Sequence, residues 1–189
     1  MTRVCQITLI CEDWRQSAFA RGFLEKANVG NRVYETRNPG GSGHDWVKTK
    51  FFNEVQNLTR FAEGRGVLGL IDEDGQGVTT REHQVVTPLK ELGISLGPDK
   101  GKCLLIPTRN IETWLYWLVG HKNGRSIQVD EITDYKNAPP RGEKIHNHDC
   151  RPAGQYLHSL NHVGLPTGCP SMLMQALDDL REFLKAVRR

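Results

Sequence analysis

The sequence predicts an α/β fold, a Rossmann-like domain with a central four-stranded parallel sheet flanked by helices and a C-terminal loop and helix extension. Two observations carry this expectation. Short apolar, β-branched runs alternate four times with segments whose apolar residues fall at helical spacing. The runs are solidly apolar rather than alternating, as strands covered by helices on both faces must be.

Arg3 to Cys11, "RVCQITLIC", is the first predicted strand, and "DWRQSAFARGFLEKA" the helix after it, with Trp14, Ala18, Phe19, Phe23 and Leu24 at helical spacing. "NRVYETR" is a second strand, and "GGSG" (Gly40 to Gly43) a flexible loop before an amphipathic helix. That helix carries Trp46, Phe51, Phe52, Val55, Leu58 and Phe61, and Gly64 is placed to stop it. "GVLGLI" is the third strand. The helix in "TTREHQVVTPLKELG" contains Pro88, which is expected to kink or split it. "KCLLIP" is the fourth strand, and "NIETWLYWLVG" a helix closed by Gly120. Trp114 and Trp117, one turn apart in it, read as core.

Residues 1–120 therefore form the expected core. Residues 121–189 divide into a polar stretch with "APPRG" and "HNHDC", expected as loop or insertion, and a final helix, "SMLMQALDDLREFLKAVRR", packing back on the sheet.

The 189 residues suffice for one domain with its own core, and 38% hydrophobic and 25% charged residues are those of an ordinary soluble protein. A net charge of +3 permits a nucleic-acid partner without arguing for one. The five cysteines are scattered without a CxxC pair, as expected of reduced thiols in the cytoplasm. The N-terminal apolar stretch is too short for a signal sequence, and no run reaches transmembrane length, so no membrane partner is expected.

The chemistry concentrates where strands end. In a doubly wound sheet, ligands gather beyond the carboxyl ends of the strands. The first strand runs into Glu12 and Asp13, and the third into Asp72, Glu73 and Asp74. If those strands are neighbours, Glu12 faces Asp72 and Asp74; residues two apart in extended chain share a face, which turns Glu73 elsewhere. Carboxylates converging there repel as bare anions. A hard divalent cation with oxygen ligands resolves that repulsion, and two such ions can hold both oxygens of a phosphoryl displacement. "DEDGQ" alone would equally serve as a solvated turn; Glu12 at the end of a separate buried strand favours the metal site.

A Glu closing the first strand and a DxD closing the third, in a compact domain of alternating β and α elements, resembles the toprim domain. That domain is shared by topoisomerases, primases, RNA maturases, recombination mediators and OLD-family nucleases. The string "IPTRNIETWLYW" (Ile106 to Trp117) further resembles small stand-alone toprim-like proteins of bacterial genomes. The resemblance covers about residues 3–120. It implies that Glu12, Asp72 and Asp74 bind Mg2+ or Mn2+, with Glu12 also acting in proton transfer. It further implies a nuclease cutting DNA or RNA, and an ATPase partner in a bacterial antiphage or mobile-element system. OLD-type nucleases carry another acid four residues after the first Glu, where this chain has Gln16. A second ion would then need Glu112 or Asp13. Arg109 is placed either to grip a phosphate or to pair with an acid. Glu112 is placed equally to ligate a metal or to favour its helix's N-terminus.

No tyrosine stands in a topoisomerase context and no primase zinc domain is evident, which leaves nuclease ahead. Two alternatives remain: a non-catalytic module binding nucleic acid or a partner, and a receiver-like phosphoacceptor domain in which Asp72 is phosphorylated. The histidines of "HNHDC", with His121, His158 and His162, match no standard zinc spacing. "GGSG" is followed by no GKS or GKT, which argues against a P-loop. Lys48, Lys50, Arg60, Arg141, Lys144 and Arg151 are candidates to line a nucleic-acid groove.

Overall fold

The computed structural model describes residues 6–36, 43–60, 64–125, 127–139, 144–160 and 168–188. Arg3, Cys5, residues 40–42 of the glycine loop, Phe61, Arg141 and His162 lie outside the described residues, as does the side chain of Arg60.

Four parallel strands, β1 (Gln6–Cys11), β2 (Val33–Thr36), β3 (Arg65–Leu70) and β4 (Lys102–Leu105), form one sheet in the order β2-β1-β3-β4. Six helices flank it: α1 (Trp14–Lys26), α2 (Gly43–Arg60), α3 (Val78–Glu91), α4 (Ile111–Lys122), α5 (Asn147–Ser159) and α6 (Ser171–Val187). The α/β class and the all-parallel sheet are as the sequence predicts.

Strand residues divide by parity between two cores, which makes three layers. Ile7, Leu9, Leu68, Leu70, Cys103 and Leu105 face a cluster that includes residues of α1, α4, α5 and α6. Ile10, Val67, Ile71 and Ile106 face the smaller cluster of α2 and α3. Two glycines of β3 let helices settle directly on the sheet. A Cβ at Gly66 would lie 2.5 Å from Val187 Cγ1 of α6, and one at Gly69 would lie 2.6 Å from the Phe51 ring of α2.

Pro88 does not split α3, which runs unbroken from Val78 to Glu91. The larger departure is α5, in a stretch that extends the polar run of the sequence. It starts where the Asp149 carboxylate accepts the His146 N–H at 2.9 Å, and it tolerates Pro152. Tertiary packing forms it: a Cβ at Gly22 would fall 2.0 Å from Arg151 O, and one at Gly154 1.9 Å from Phe19 O. The backbones of α1 and α5 thus touch through two glycines, with Cys150, Ala153 and Leu157 buried at the joint. α6 buries the apolar side read from its periodicity, including Leu173, Leu177, Leu180 and Phe183.

The topology fixes where a site can form. From β1 the chain moves to one side to make β2, and from β3 to the other to make β4. The connections part between β1 and β3, so the crevice beyond their carboxyl ends is the sheet's topological switch point.

Candidate metal centre

β1 and β3 pair in parallel with Cys11 opposite Leu70, so Glu12 and the 72–74 segment leave the sheet side by side at that crevice. The three acids after β3 then take three different courses.

Asp72 turns inward and is 4% exposed. Its Oδ1 accepts from Gln16 Nε2 at 2.8 Å and from the Ile111 N–H at 3.0 Å. It therefore occupies a backbone donor at the start of α4, where Asn110 supplies no side-chain cap. Burial holds its carboxyl well above the ordinary range, and the Glu12 charge adds to that.

Glu73 is also buried, at 5% exposure. Its carboxylate accepts from the Gly77 N–H and, at 2.8 Å, from the Arg109 N–H. The Glu73 N–H donates to Pro107 O and the Asp74 N–H to Arg109 O, so the loops after β3 and β4 clasp one another. Glu73 does point away from its neighbours, but into protein rather than water.

Asp74 leaves the extended conformation altogether. Its φ is 55°, a left-handed turn that Asp tolerates better than most residues, and Gly75 follows at 77°. The rule that residues two apart share a face stops at this turn, which separates Asp74 from Asp72. Asp74 is instead brought to Glu12 and to His44 in the first turn of α2. One ligand atom from each of Glu12, His44 and Asp74 lies within 4.8 Å of the others, a group that could hold a metal ion.

Glu12 is fixed from several sides. Its carboxylate accepts the Asp72 N–H at 3.2 Å, and its own N–H donates to Gln16 Oε1 at 2.8 Å. A Cβ at Gly43 would sit 2.4 Å from Glu12 Cγ, so the start of α2 rests on this side chain. Burial raises its carboxyl above the ordinary value; the hydrogen bond from Asp72 opposes that shift, Asp74 adds to it and His44 opposes it. Partial burial beside Asp74 makes a bare anion costly, and a cation shared by the group would offset that cost.

Gln16 is fully buried and spends both ends of its amide, one on the Glu12 backbone and the other on Asp72. A carboxylate there could not donate to Asp72. Asp13 caps α1, accepting the Gln16 N–H at 3.0 Å. Glu112, 2% exposed, forms an ion pair with Arg15. Among the described residues, neither Asp13, Asp72 nor Glu112 joins the Glu12–His44–Asp74 group. Arg109 holds a left-handed backbone, φ 65°, to make its two bonds to the β3 loop. Its guanidinium lies over Gly75 and stands 4.0 Å from Asp134.

The crevice widens into a cleft of about 1300 Å³ lined by residues that include Glu12, Trp14, Arg21, Glu35 and Arg151. Trp14, expected in the core from its spacing, is 56% exposed there, because the first turn of α1 projects past the strand ends. Trp114 and Trp117 are core, at 0% and 3%. Three of the candidate basic residues pair with acids: Lys48 with Asp45, Lys50 with Glu54 and Arg151 with Glu25. His146 and His148 stack on each other, and His121 meets Tyr156 Oη at 2.6 Å. Among the described residues these histidines join no group of three ligating side chains. Nor is any described helix long and apolar enough to cross a membrane.

Comparison with protein-family models, curated proteins and solved structures found no match.

His44 and Glu73 were not singled out from the sequence. No pattern links His44 to Glu12, since their meeting depends on how α2 docks. Glu73 had a signal, its place inside the acidic run, but spacing alone only turns it away from Asp72 and Asp74.

Proposed function

We propose that this chain is a divalent-cation-dependent nuclease of the toprim type, hydrolysing phosphodiester bonds in DNA or RNA with Mg2+ or Mn2+. The observation that carries the reading is the convergence of Glu12, His44 and Asp74 at the switch point of a parallel sheet, beside a cleft with an exposed tryptophan. A bound ion would neutralise charge developing on the phosphoryl oxygens.

The protein's own groups divide the remaining work. Glu12 and Asp74 would hold the ion, and by the resemblance Glu12 would also act in proton transfer with the attacking water. Asp72 acts through others: it places Glu12 by its backbone N–H and ties α4 to the site. Arg109 supplies positive charge beside Gly75 for a substrate phosphate. Trp14 offers a face for a base. The wider setting, the cytoplasm with an ATPase partner in defence against phage or mobile elements, rests on the resemblance alone.

A second reading is favoured by Gln16. An amide buried where OLD-type nucleases carry an acid removes one candidate ligand for a second ion, which fits a module that binds without cutting. The phosphoacceptor reading is weakened by the burial of Asp72 and the two hydrogen bonds its Oδ1 accepts.

The test is incubation with plasmid, single-stranded DNA and structured RNA in Mg2+, Mn2+ or EDTA, beside Glu12→Gln and Asp74→Asn. Cation-dependent cleavage lost in both variants is expected. Cleavage that survives both removes the site. Failure to cut any substrate while cations still bind favours the binding module.

A further inference from the structure

The toprim resemblance implies an all-carboxylate site, whereas the group assembled in the fold contains an imidazole. We infer that His44 is a direct ligand and that it makes this a site for a first-row transition ion, Mn2+ in preference to Mg2+. The inference rests on the metal reading above and names which ion that site selects.

Geometry supports it first. Ligands about 2.1 Å from one octahedral ion lie about 3.0 Å apart when adjacent and about 4.2 Å when opposite. At most one pair among three ligands can be opposite, so the Glu12, His44 and Asp74 ligand atoms, all within 4.8 Å of one another, would close by up to about 1.8 Å on an ion, within reach of side-chain rotation. His44 is held near Glu12 by its neighbour Gly43, which packs against the Glu12 side chain, so the imidazole is delivered by the helix start rather than by a long side chain reaching in.

Chemistry then sets the preference. Mg2+ is hard, takes oxygen ligands and dehydrates reluctantly, while imidazole nitrogen suits transition ions. Replacing one of three protein oxygens by nitrogen costs Mg2+ more than Mn2+. The oxygen side is weakened as well. Arg81 of α3 is 1% exposed, and its Nε and Nη2 make no hydrogen bond among the described residues. Its Nη2 stands 3.7 Å from Asp74 Oδ2, so a buried guanidinium with unspent donors is aimed at one of the ligands. That positive charge draws electron density from the Asp74 carboxylate, leaving relatively more of the binding to His44.

The experiment measures Mn2+ and Mg2+ dissociation constants calorimetrically for the full chain, His44→Ala and His44→Asp, with circular dichroism checking that each variant folds. Losing a direct ligand should weaken Mn2+ by more than about tenfold. Mg2+ should change far less, and His44→Asp should move the Mn2+/Mg2+ ratio toward Mg2+. In the unaltered protein, electron spin echo spectroscopy of bound Mn2+ should show modulation from a directly bonded imidazole nitrogen, a readout that needs no variant. If neither cation binds the unaltered chain, the metal reading and this inference fall together. If both bind, but no nitrogen modulation is seen or His44→Ala leaves the ratio unchanged, His44 is not a ligand and the metal site stands without it.

Discussion

At Asp72, burial and charge conflict: the carboxyl is nearly sealed from water, and Glu12 lies beside it. Its folded value is raised, whereas the unfolded chain ionises near the ordinary 3.8. The native state thus holds the proton longer, so stability from this group is complete below the unfolded value and is lost as pH rises through the folded one. The melting temperature of EDTA-treated protein should fall as pH is raised above the ordinary carboxylate range, and Asp72→Asn should flatten that slope. An unchanged slope in the variant would show that Asp72 is not its source. At Gly43 a methyl group would displace the Glu12 side chain rather than backbone. Gly43→Ala should therefore weaken Mn2+ binding while leaving the thermal melt nearly unaltered; equal Mn2+ affinity would mean Glu12 need not stay where it is. The residues that strand ends dictate, Glu12 and the acidic run, were legible in the sequence. The separate fates of Asp72, Glu73 and Asp74 were not, because a left-handed turn at Asp74 breaks the periodicity from which they were read.

At the scale of elements, the central strands β1 and β3 were readable because runs buried on both faces have few polar positions to blur them, whereas β2 is a partly exposed edge strand. α5 was not, since its pattern of Pro152, Gly154 and polar residues argues for loop until α1 is placed against it. The joint is backbone on backbone, which cannot yield as a side chain can. Gly154→Ala should cost about 1–3 kcal/mol in urea unfolding, as overpacking does; a neutral result would mean the two helices can separate freely. The clasp between the β3 and β4 loops is held through Glu73. Glu73→Ala leaves the Gly77 and Arg109 N–H groups without this acceptor and should cost about 1–3 kcal/mol in the same assay.

For the whole molecule, the switch point, the metal group and the cleft share one edge of the sheet, and that coincidence gives the fold a direction. Trp14 stands at the cleft as its exposed aromatic face. Trp14→Ala should weaken binding of single-stranded DNA or RNA by about 1–3 kcal/mol in a fluorescence titration without altering Mn2+ affinity. Unchanged affinity would place the strand elsewhere. Class and sheet were legible because local periodicity specifies them. The cleft was not, because it is formed by α1 and α5 approaching from opposite ends of the chain.

The central claim is that one divalent ion binds between the end of β1, the turn after β3 and the start of α2. An anomalous difference map from a crystal soaked in Mn2+ tests it most directly. A peak is expected within bonding distance of Glu12, His44 and Asp74 and absent from crystals of Glu12→Gln; a map with no peak there, or with its peak elsewhere on the molecule, would rule the site out.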